Sequence, residues 1–433
     1  MKNLEIKDEA SFEAVAGLAC RAASTAANEA LNERTEAVRG IVEAVRQRGD
    51  AAVAEFTQEF DAVALRPEQF ELSPSEIDAA VAEVDPALVA ILERARENIR
   101  RFHAAHLRES WEEEDADGTV LGQRITPLER VGVYVPGGKA FYPSSVLMNI
   151  VPAAVAGVKD IIMVSPPSYK GSVLPAVLAA ARVAGATRVF RIGGAQSVAA
   201  LAYGTEHVPS VPKIVGPGNI YVTLAKRLVS TTCAIDMEAG PSEVVVIADD
   251  KAEARFVAAE MLAQAEHDED ARAILVTPDG ALAEKVAAEI ASQAALLSRT
   301  RIIQHALDAN GMIITVRDMD DAIRLTNQIA PEHLSIQTEY PRAVFDRIAN
   351  AGAAMLGTMT PVAVGDYYAG PNHVLPTGGR ARFASPLSAE DFRKVTSVLS
   401  YSRERLKKDA DDIRRLAETE GLTAHAKAVE IRT

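Results

Sequence analysis

The sequence predicts an α/β protein with two tandem Rossmann-like, doubly wound modules, preceded by N-terminal helices and followed by a helical C-terminal tail. Three observations support this fold class. Short apolar runs alternate with Ala-rich helical stretches from residue 130 onward, the same alternation restarts at residue 243, and amphipathic sequences with helical periodicity stand before and after both series. Such alternation is typical of βαβ units that build parallel sheets.

The predicted elements follow one another along the chain. Up to about residue 110, apolar residues recur at spacings of three and four with charges between them, which predicts amphipathic helices. In the first α/β series the strands are VGVYVPGG, DIIMVSPP and RVFRIGG, and the helices are SSVLMNIVPAAVAG and AVLAAARVAG. The second series contains the strands EVVVIADD, ARAILVTPDG, GMIITV, EHLSIQT and AGAAMLGT. After about Pro386 the strand signals stop, and the remaining sequence predicts a charged, amphipathic helical tail.

This order of elements predicts four segments. We expect an N-terminal helical segment over residues 1–26, a first α/β domain from 27–129 together with 244–386, a second α/β domain over 130–243, and a tail over 387–433. A tail of this kind often packs on another domain or another subunit.

Composition excludes several functions. The 433 residues are 48% hydrophobic, enough for a large core, and the net charge of -14 comes from acids spread along the whole length. No basic block is present to bind nucleic acid or an anionic membrane surface. The longest apolar stretch is too short and too broken by proline to span a bilayer, and the only cysteines are Cys20 and Cys233, which suits a reducing compartment. We therefore expect a cytoplasmic protein, in which any metal site uses nitrogen and oxygen ligands.

Three glycine-containing loops are candidates for nucleotide binding. The G-x-G-x-x-G turn of dinucleotide-binding folds is absent, but VPGGKA, RIGGAQ and VGPGNIYV each follow a predicted strand directly. Glycine and proline also punctuate ordinary strand-to-helix turns, so each loop alone has this simpler explanation. Three such loops in one module favour a ligand outside the carboxyl ends of the strands. Tyr134, Gln196 and Asn219 lie in or beside these loops and could provide a stacking ring and amide hydrogen bonds.

A candidate metal site combines four residues from three parts of the chain. Gln264 and His267 stand three residues apart on one face of a predicted helix, so both could reach a single ion. Asp366 and His425 would complete four ligands, a set that suits zinc and also tolerates manganese or cobalt. The alternative for the stretch around His267 is a solvated, acidic helix end.

A Glu-His pair is the candidate catalytic centre. A predicted helix ends at Ala330 before Pro331, and Glu332 and His333 open the next strand. The glutamate could activate water and the histidine could take a hydroxyl proton, because both can titrate near neutral pH. The alternative is a chance pair at a strand start. Cys233 could instead attack an aldehyde as a thiolate, but its apolar flanks and the lack of an adjacent base favour a small buried residue.

Long stretches across essentially the whole chain resemble the histidinol dehydrogenase family. They are VGVYVPGGKAFYPSSVLM, GGAQSVAALAYGTE, KIVGPGNIYVTLAK, IDMEAGPSEVVVIAD, QAEHDEDA, APEHL and GDYYAGPNHVLPTGGRARFASPLS. Their length, order and unusual composition make the likeness far more specific than one glycine loop. The resemblance implies an enzyme that catalyses the last steps of histidine biosynthesis. L-histidinol would be oxidised through L-histidinaldehyde to L-histidine, with two NAD+ reduced at one zinc-dependent site.

The resemblance also implies roles for individual residues. Glu332 matches the base that activates the attacking water, and His333 matches the base that deprotonates the alcohol and later assists at the aldehyde. The implied ligands of one Zn2+ per subunit are Gln264, His267, Asp366 and His425. The implied contacts to NAD+ are Tyr134, Gln196 and Asn219. The implied contacts to L-histidinol are Ser242, Gln264, His267, His333, Asp366, His373, Glu420 and His425.

The resemblance further implies a homodimer in which the tail crosses over, so that Glu420 and His425 serve the partner's site. The first α/β domain would then carry the metal and catalytic residues, and the second would bind NAD+. Two other functions stay open from the residues themselves: an NAD-dependent dehydrogenase of another small alcohol on the same scaffold, and a non-catalytic nucleotide-binding protein. Neither nucleic acid nor a membrane is expected as a partner.

Overall fold

A computed structural model of the chain describes residues 1–20, 26–137, 141–238 and 240–433. It confirms the predicted α/β fold class, because the described residues form two parallel sheets covered by helices, a small antiparallel sheet and a tail that ends in helices. None of the helices in these ranges is long and apolar enough to span a membrane.

The secondary structure is mixed throughout the chain. The strands are β1 (Lys2–Glu5), β2 (Trp111–Glu114), β3 (Val120–Pro127), β4 (Arg130–Tyr134), β5 (Asp160–Val164), β6 (Arg188–Phe190), β7 (Lys213–Val215), β8 (Ala234–Ile235), β9 (Glu243–Ala248), β10 (Arg272–Thr277), β11 (Met312–Thr315), β12 (His333–Gln337), β13 (Ala353–Leu356) and β14 (Arg393–Ser400). The helices are α1 (Glu9–Ala19), α2 (Ala26–Arg48), α3 (Asp50–Asp61), α4 (Pro74–Ala82), α5 (Pro86–Ala104), α6 (Pro143–Ala156), α7 (Pro175–Ala184), α8 (Gly194–Tyr203), α9 (Ile220–Val229), α10 (Ala254–Ala265), α11 (Gly280–Ala294), α12 (Thr300–Asn310), α13 (Met319–Ile329), α14 (Pro341–Phe345), α15 (Val362–Tyr367), α16 (Arg403–Thr419) and α17 (Thr423–Glu430).

The first parallel sheet has six strands in the order β1-β11-β10-β9-β12-β13. Alternate residues of β9 are buried on opposite faces of this sheet. Val244 and Val246 pack in one hydrophobic core with α10, α11 and α12, whereas Val245 and Ile247 pack in another with α1 and α13. Burial on both faces explains the unbroken apolar run EVVVIA, because a parallel strand covered by helices has no solvent face.

The second parallel sheet has five strands in the order β6-β5-β4-β7-β8. The chain runs outward from β4 to β6 and then returns to add β7 on the other side of β4. The gap between the carboxyl ends of β4 and β7 is therefore the topological switch point, where open α/β sheets bind ligands.

Helices α2 to α5 pack on the second sheet, whereas α1 packs on the first. Helix α2 lies against α8 and α9, α4 against α7, and α5 against α6 and α7. The predicted domain grouping placed residues 27–129 with 244–386, whereas α2 to α5 contact helices of the second sheet. Helical periodicity shows which face of a helix is apolar, but it does not show which sheet that face will contact. The domain boundaries themselves stay a prediction.

Both ends of the chain contain a strand that the sequence did not predict. In the segment expected to be helical over 1–26, β1 adds a short, charged edge strand beside β11 before α1 begins. In the tail, α16 and α17 are helical as predicted, but β14 pairs antiparallel along all of β3 before them. Its sequence RKVTSVLS is mostly exposed, so it lacks the apolar run or one-sided alternation by which a strand is recognised.

Candidate active site

The candidate catalytic pair lies at the amino end of β12, an interior strand of the first sheet between β9 and β13. Helix α13 ends at Ala330, which adopts the left-handed conformation with φ 52°, and Pro331 prevents the helix from continuing. Glu332 and His333 follow directly and are 6% and 5% exposed. The predicted helix end and strand start are therefore confirmed, and both side chains are enclosed by protein.

The backbone of Glu243, on the neighbouring strand β9, contacts both members of this pair. The Glu243 N–H donates to Oε2 of Glu332 at 2.8 Å, and the Glu243 carbonyl oxygen lies 3.3 Å from Nδ1 of His333. On its other side, Nε2 of His333 lies 3.3 Å from Oδ1 of Asp366. The imidazole thus spans from β9 to the short helix α15 that carries Asp366.

The surroundings of the pair bring the pKa of Glu332 near neutral pH and keep His333 protonated there. Burial raises the pKa of Glu332 to about 7. Burial alone would lower the pKa of His333, but the carboxylates of Glu332 and Asp366 raise it to about 9. Burial would raise the pKa of Asp366, yet its contact with His333 and the nearby imidazoles of His373 and His267 hold it below its usual value. These five side chains therefore form one interacting cluster.

Two of the predicted metal ligands come from the end of α10. Gln264 is 2% exposed and its amide nitrogen has no hydrogen-bond partner. His267 lies three residues further on, and burial lowers the pKa of its imidazole. The charge of His267 in turn lowers the pKa of Asp366. Gln264 thus lies in the last turn of α10 and His267 just beyond its end, where the imidazole interacts with the charge of Asp366 on α15.

Glu260 connects those two helices, and sequence reasoning missed it. Its Oε2 accepts a hydrogen bond from the backbone N–H of Val362 at 3.0 Å, at the first residue of α15. Glu260 is 6% exposed, and burial raises its pKa. It lies one turn before Gln264 on the same helix face, and that spacing was the signal in the sequence that could have identified it.

The single chain does not bring the two predicted tail residues to this cluster. Glu420 caps the C-terminal end of α16 and His425 lies on α17, and both are exposed. Helix α17 packs on α16. Within the described residues, no hydrogen bond or ion pair links either side chain to α10 or α15.

The two remaining predicted substrate contacts flank the cluster. His373 directs Nδ1 at the carbonyl oxygen of Asp366 at 2.8 Å and Nε2 at the hydroxyl of Ser145 at 3.2 Å, so it connects α15 with α6 beside the second sheet. Ser242 is half-buried immediately before β9, and its carbonyl oxygen accepts from the Arg272 N–H at 3.0 Å. His373 therefore lies where α15 meets α6, and Ser242 directly precedes Glu243, whose backbone contacts the catalytic pair.

At the switch point of the second sheet, the backbone after β7 lies close to the backbone at the end of β4. Gly216 follows β7 with φ 110°, and a Cβ atom there would lie 2.1 Å from the carbonyl oxygen of Tyr134 at the end of β4. The buried ion pair of Lys226 and Asp236 holds this glycine, since Lys226 donates to its carbonyl oxygen at 3.0 Å and Asp236 accepts from its N–H at 2.8 Å. The loop VGPGN is therefore fixed where a nucleotide is expected. Gly138 of VPGGKA lies outside the described residues.

The three predicted NAD contacts all lie around this switch point, but their side chains differ in exposure. Asn219 caps α9 by accepting from the N–H groups of Tyr221 and Val222 at 3.0 and 3.2 Å. Gln196, in the first turn of α8, is fully buried and both of its amide atoms lack a hydrogen-bond partner. Tyr134 is 3% exposed, so its ring belongs to the hydrophobic core and is not a stacking surface, and its hydroxyl accepts from the Gly194 N–H at 3.3 Å.

Cys233 is a buried structural residue. It is fully enclosed, its thiol donates to the carbonyl oxygen of Val211 at 3.1 Å, and burial raises its pKa to about 12. A thiol with that pKa is not a thiolate at neutral pH, so it cannot serve as the nucleophile for an aldehyde.

Another group with metal-binding residue types lies elsewhere. Asp50, Glu206 and His207 have ligand atoms within 4.8 Å of one another, where α3 meets the loop after α8. His207 Nδ1 lies 2.7 Å from Oδ2 of Asp50, an ordinary ion pair. None of the predicted zinc ligands belongs to this group.

A buried acid-imidazole pair facing the Asp366 carboxylate, on a fold with two parallel sheets, suits an enzyme of the dehydrogenase class. The model of the histidinol dehydrogenase family matches residues 24–433. The histidinol dehydrogenase of Heliobacterium mobile is 54% identical over 392 residues, which cover 90% of this chain and 92% of the relative. That of Aquifex aeolicus (strain VF5) is 52% identical, with 93% and 94% covered. The crystal structure of histidinol dehydrogenase from Elizabethkingia anophelis superposes with a TM-score of 0.91 at 34% identity, covering 100% of this chain and 98% of the other.

The chain therefore belongs to the histidinol dehydrogenase family, as its motifs predicted.

Proposed function

We propose that this chain oxidises L-histidinol through L-histidinaldehyde to L-histidine, with two NAD+ reduced and one zinc ion bound per subunit. One observation carries the proposal: His333 of the buried pair faces Asp366, and the charge of Asp366 interacts with His267 just beyond α10. Two titratable groups beside a potential metal cluster suit successive proton transfers at one place.

Gln264, His267 and Asp366 fit a zinc ion. Rotation of the Gln264 amide by a half turn exchanges its unpartnered nitrogen with its oxygen, so the amide is free to present a ligand atom. The lowered pKa of His267 keeps its imidazole neutral at pH 7, the form that binds metal. His425 of the partner subunit would be the fourth ligand. When bound, zinc would provide a template that holds the nitrogens of L-histidinol and orients its carbinol carbon.

The protein groups then have separate tasks. His333 would take the hydroxyl proton of L-histidinol through Nε2 once a bound cation offset the Asp366 charge that raises its pKa, since Nδ1 already contacts the carbonyl oxygen of Glu243. Glu332 removes a proton from the water that adds to the aldehyde, which its pKa of about 7 permits near neutral pH. After releasing the first proton to solvent, His333 would take the proton that leaves the hydrated aldehyde. NAD+ would supply the hydride acceptor for both oxidations.

The second sheet would hold NAD+. The two unpartnered amide atoms of Gln196 lie in the first turn of α8, where a ligand can complete their hydrogen bonds. Asn219 and Tyr134 support the neighbouring loops at the switch point. A homodimer with exchanged tails would bring Glu420 and His425 to the site of the partner subunit, and the exposed position of both residues here supports that arrangement. The cytoplasmic location stays a prediction.

The test is the amount of NADH formed per L-histidinol consumed, at limiting L-histidinol and excess NAD+. We expect about two NADH with L-histidine as product, lost after chelation and restored by zinc. The variant His267→Asn should lose both zinc and activity, whereas His305→Asn, on the exposed face of α12, is the matched control and should retain both. One NADH with free aldehyde indicates a two-electron dehydrogenase, and none indicates another small alcohol as substrate. Either outcome overturns the proposal.

A further inference from the structure

Glu243 is the residue through which both catalytic side chains are held. Its N–H donates to Glu332 at 2.8 Å and its carbonyl oxygen lies 3.3 Å from Nδ1 of His333. A displacement of this one residue along β9 would therefore move the carboxylate and the imidazole together.

The side chain of Glu243 is itself fixed in two ways. Its Oε1 accepts from the Gly378 N–H at 3.0 Å, and its Oε2 lies 3.0 Å from Nη1 of Arg272. Glu243 is 2% exposed and the Arg272 side chain 15% exposed, so this ion pair is shielded from water. Removal of the guanidinium would leave a buried carboxylate without a countercharge, which is strongly unfavourable.

Arg272 connects this pair to its surroundings. It opens β10, where it stands opposite Glu243 in the register of the parallel sheet. Its guanidinium donates to the carbonyl oxygen of Ala19 at the end of α1, and its N–H donates to the carbonyl oxygen of Ser242 at 3.0 Å. One arginine thus ties the amino ends of β9 and β10 to α1 and to a predicted substrate contact.

We infer that Arg272 and Glu243 are a positioning pair that fixes the orientation of Glu332 and His333. The inference rests on the proposed function, because that function assigns the proton transfers to Glu332 and His333. No hydrogen bond or ion pair among the described residues joins Arg272 or the Glu243 side chain to those two side chains, so the pair fixes their positions through the Glu243 backbone. The charge of Glu243 also raises the pKa of Glu332. Its loss should lower kcat more than it raises either KM, because a small misplacement of proton-transfer groups impairs the reaction while the binding contacts remain.

Steady-state kinetics of zinc-loaded variants test the pair. Arg272→Met should lower kcat by about 100-fold, with both KM values within about threefold of the wild type. Arg272→Lys restores a charge partner for Glu243 and should recover about tenfold of that loss. The matched control is Arg317→Met, which removes a guanidinium from the buried Asp321 elsewhere on the first sheet and should keep wild-type kcat. Wild-type kcat in Arg272→Met, or an equal loss in the control, overturns the inference.

If Arg272→Met does not fold, a second variant still tests the inference. The double variant Glu243→Gln and Arg272→Met leaves no buried charge uncompensated, and it should show the same selective loss of kcat. Wild-type kcat in the double variant overturns the inference.

A crystal structure of Arg272→Met separates this inference from the proposed function. If the wild type forms no NADH from L-histidinol, the proposed function fails, but the positions of Glu332 and His333 can still be measured. Distances from Glu243 to both side chains beyond about 3.5 Å support the positioning role. Both contacts retained at the wild-type distances overturn it.

Discussion

Nε2 of His333 lies 3.3 Å from Oδ1 of Asp366, so the proposed base faces the proposed metal-binding carboxylate directly. In the zinc-free protein Asp366 and Glu332 together raise the pKa of His333 to about 9. The substitution Asp366→Asn removes one of these negative charges, so His333 should lose its proton at a lower pH. Histidine NMR titration of the zinc-free protein measures this change. The control Asp320→Asn, at an exposed position, should leave the titration of His333 as in the wild type, and an unchanged pKa in Asp366→Asn would contradict the prediction.

Glu260 holds the first residue of α15, and α15 carries Asp366. We expect Glu260→Leu, which removes the acceptor for the Val362 N–H, to weaken zinc binding by roughly 10-fold, since groups that orient metal ligands commonly contribute 10- to 100-fold to affinity. Competition with a chromogenic chelator gives the affinity. Glu284→Leu, on the exposed face of the adjacent α11, serves as the comparison. Equal zinc affinity in the two variants would show that Glu260 does not position Asp366.

Gly216 has no room for a side chain, because a Cβ atom would lie 2.1 Å from the Tyr134 carbonyl oxygen and φ is 110°. Gly216→Ala should therefore distort the loop between β4 and β7 and reduce NAD+ affinity by about 10-fold or more, with a loss of stability of about 1 kcal/mol or more. Calorimetric titration with NAD+ and thermal unfolding measure the two effects. Gly280→Ala is the control, since nothing lies within 4 Å of the atom it would add. Unaltered NAD+ affinity in Gly216→Ala would place the nucleotide elsewhere.

A mixture of subunits tests whether the tail completes the partner's site. His333→Asn and His425→Asn are each expected to be inactive. If His425 serves the other subunit, refolding the two variants at equal amounts should restore about a quarter of wild-type activity, because half the dimers are mixed and each has one intact site. If both residues act in the same subunit, no dimer has an intact site and activity stays absent.

Cys233 is expected to be irrelevant to the chemistry. Cys233→Ser should keep kcat within about twofold of the wild type while lowering the melting temperature, because a hydroxyl replaces a thiol in an apolar core. Kinetics and thermal unfolding of the same preparation distinguish the two effects. A large loss of kcat at full stability would revive the thiolate hypothesis.

The sequence predicted best where one local pattern determines the structure. The unbroken valine run of β9 could only be a strand buried on both faces, and the break at Pro331 located Glu332 and His333 at a strand start. Gln264 and His267 required only the helical period. These predictions depend on neighbours within one turn of helix or one strand.

The sequence could not supply relationships between distant elements. Glu243 and Arg272 were missed because their contacts join segments distant in the sequence, and no spacing reports such contacts. For Glu260, the spacing from Gln264 indicates the shared helix face but not the contact with Val362. The packing of α2 to α5 on the second sheet was missed for the same reason. Tyr134 was expected to offer a stacking ring, but the sheet buries it at the end of β4.

The first sheet places its reactive groups at the amino ends of β9 and β12, whereas the second sheet is expected to bind its ligand at the carboxyl ends of β4 and β7. The turns that leave the carboxyl ends of β9, β10 and β12 consequently face away from the reaction. We expect these turns to tolerate inserted peptides or longer loops. The molecule can thus acquire new attachments at these turns without altering the place where the alcohol would be oxidised.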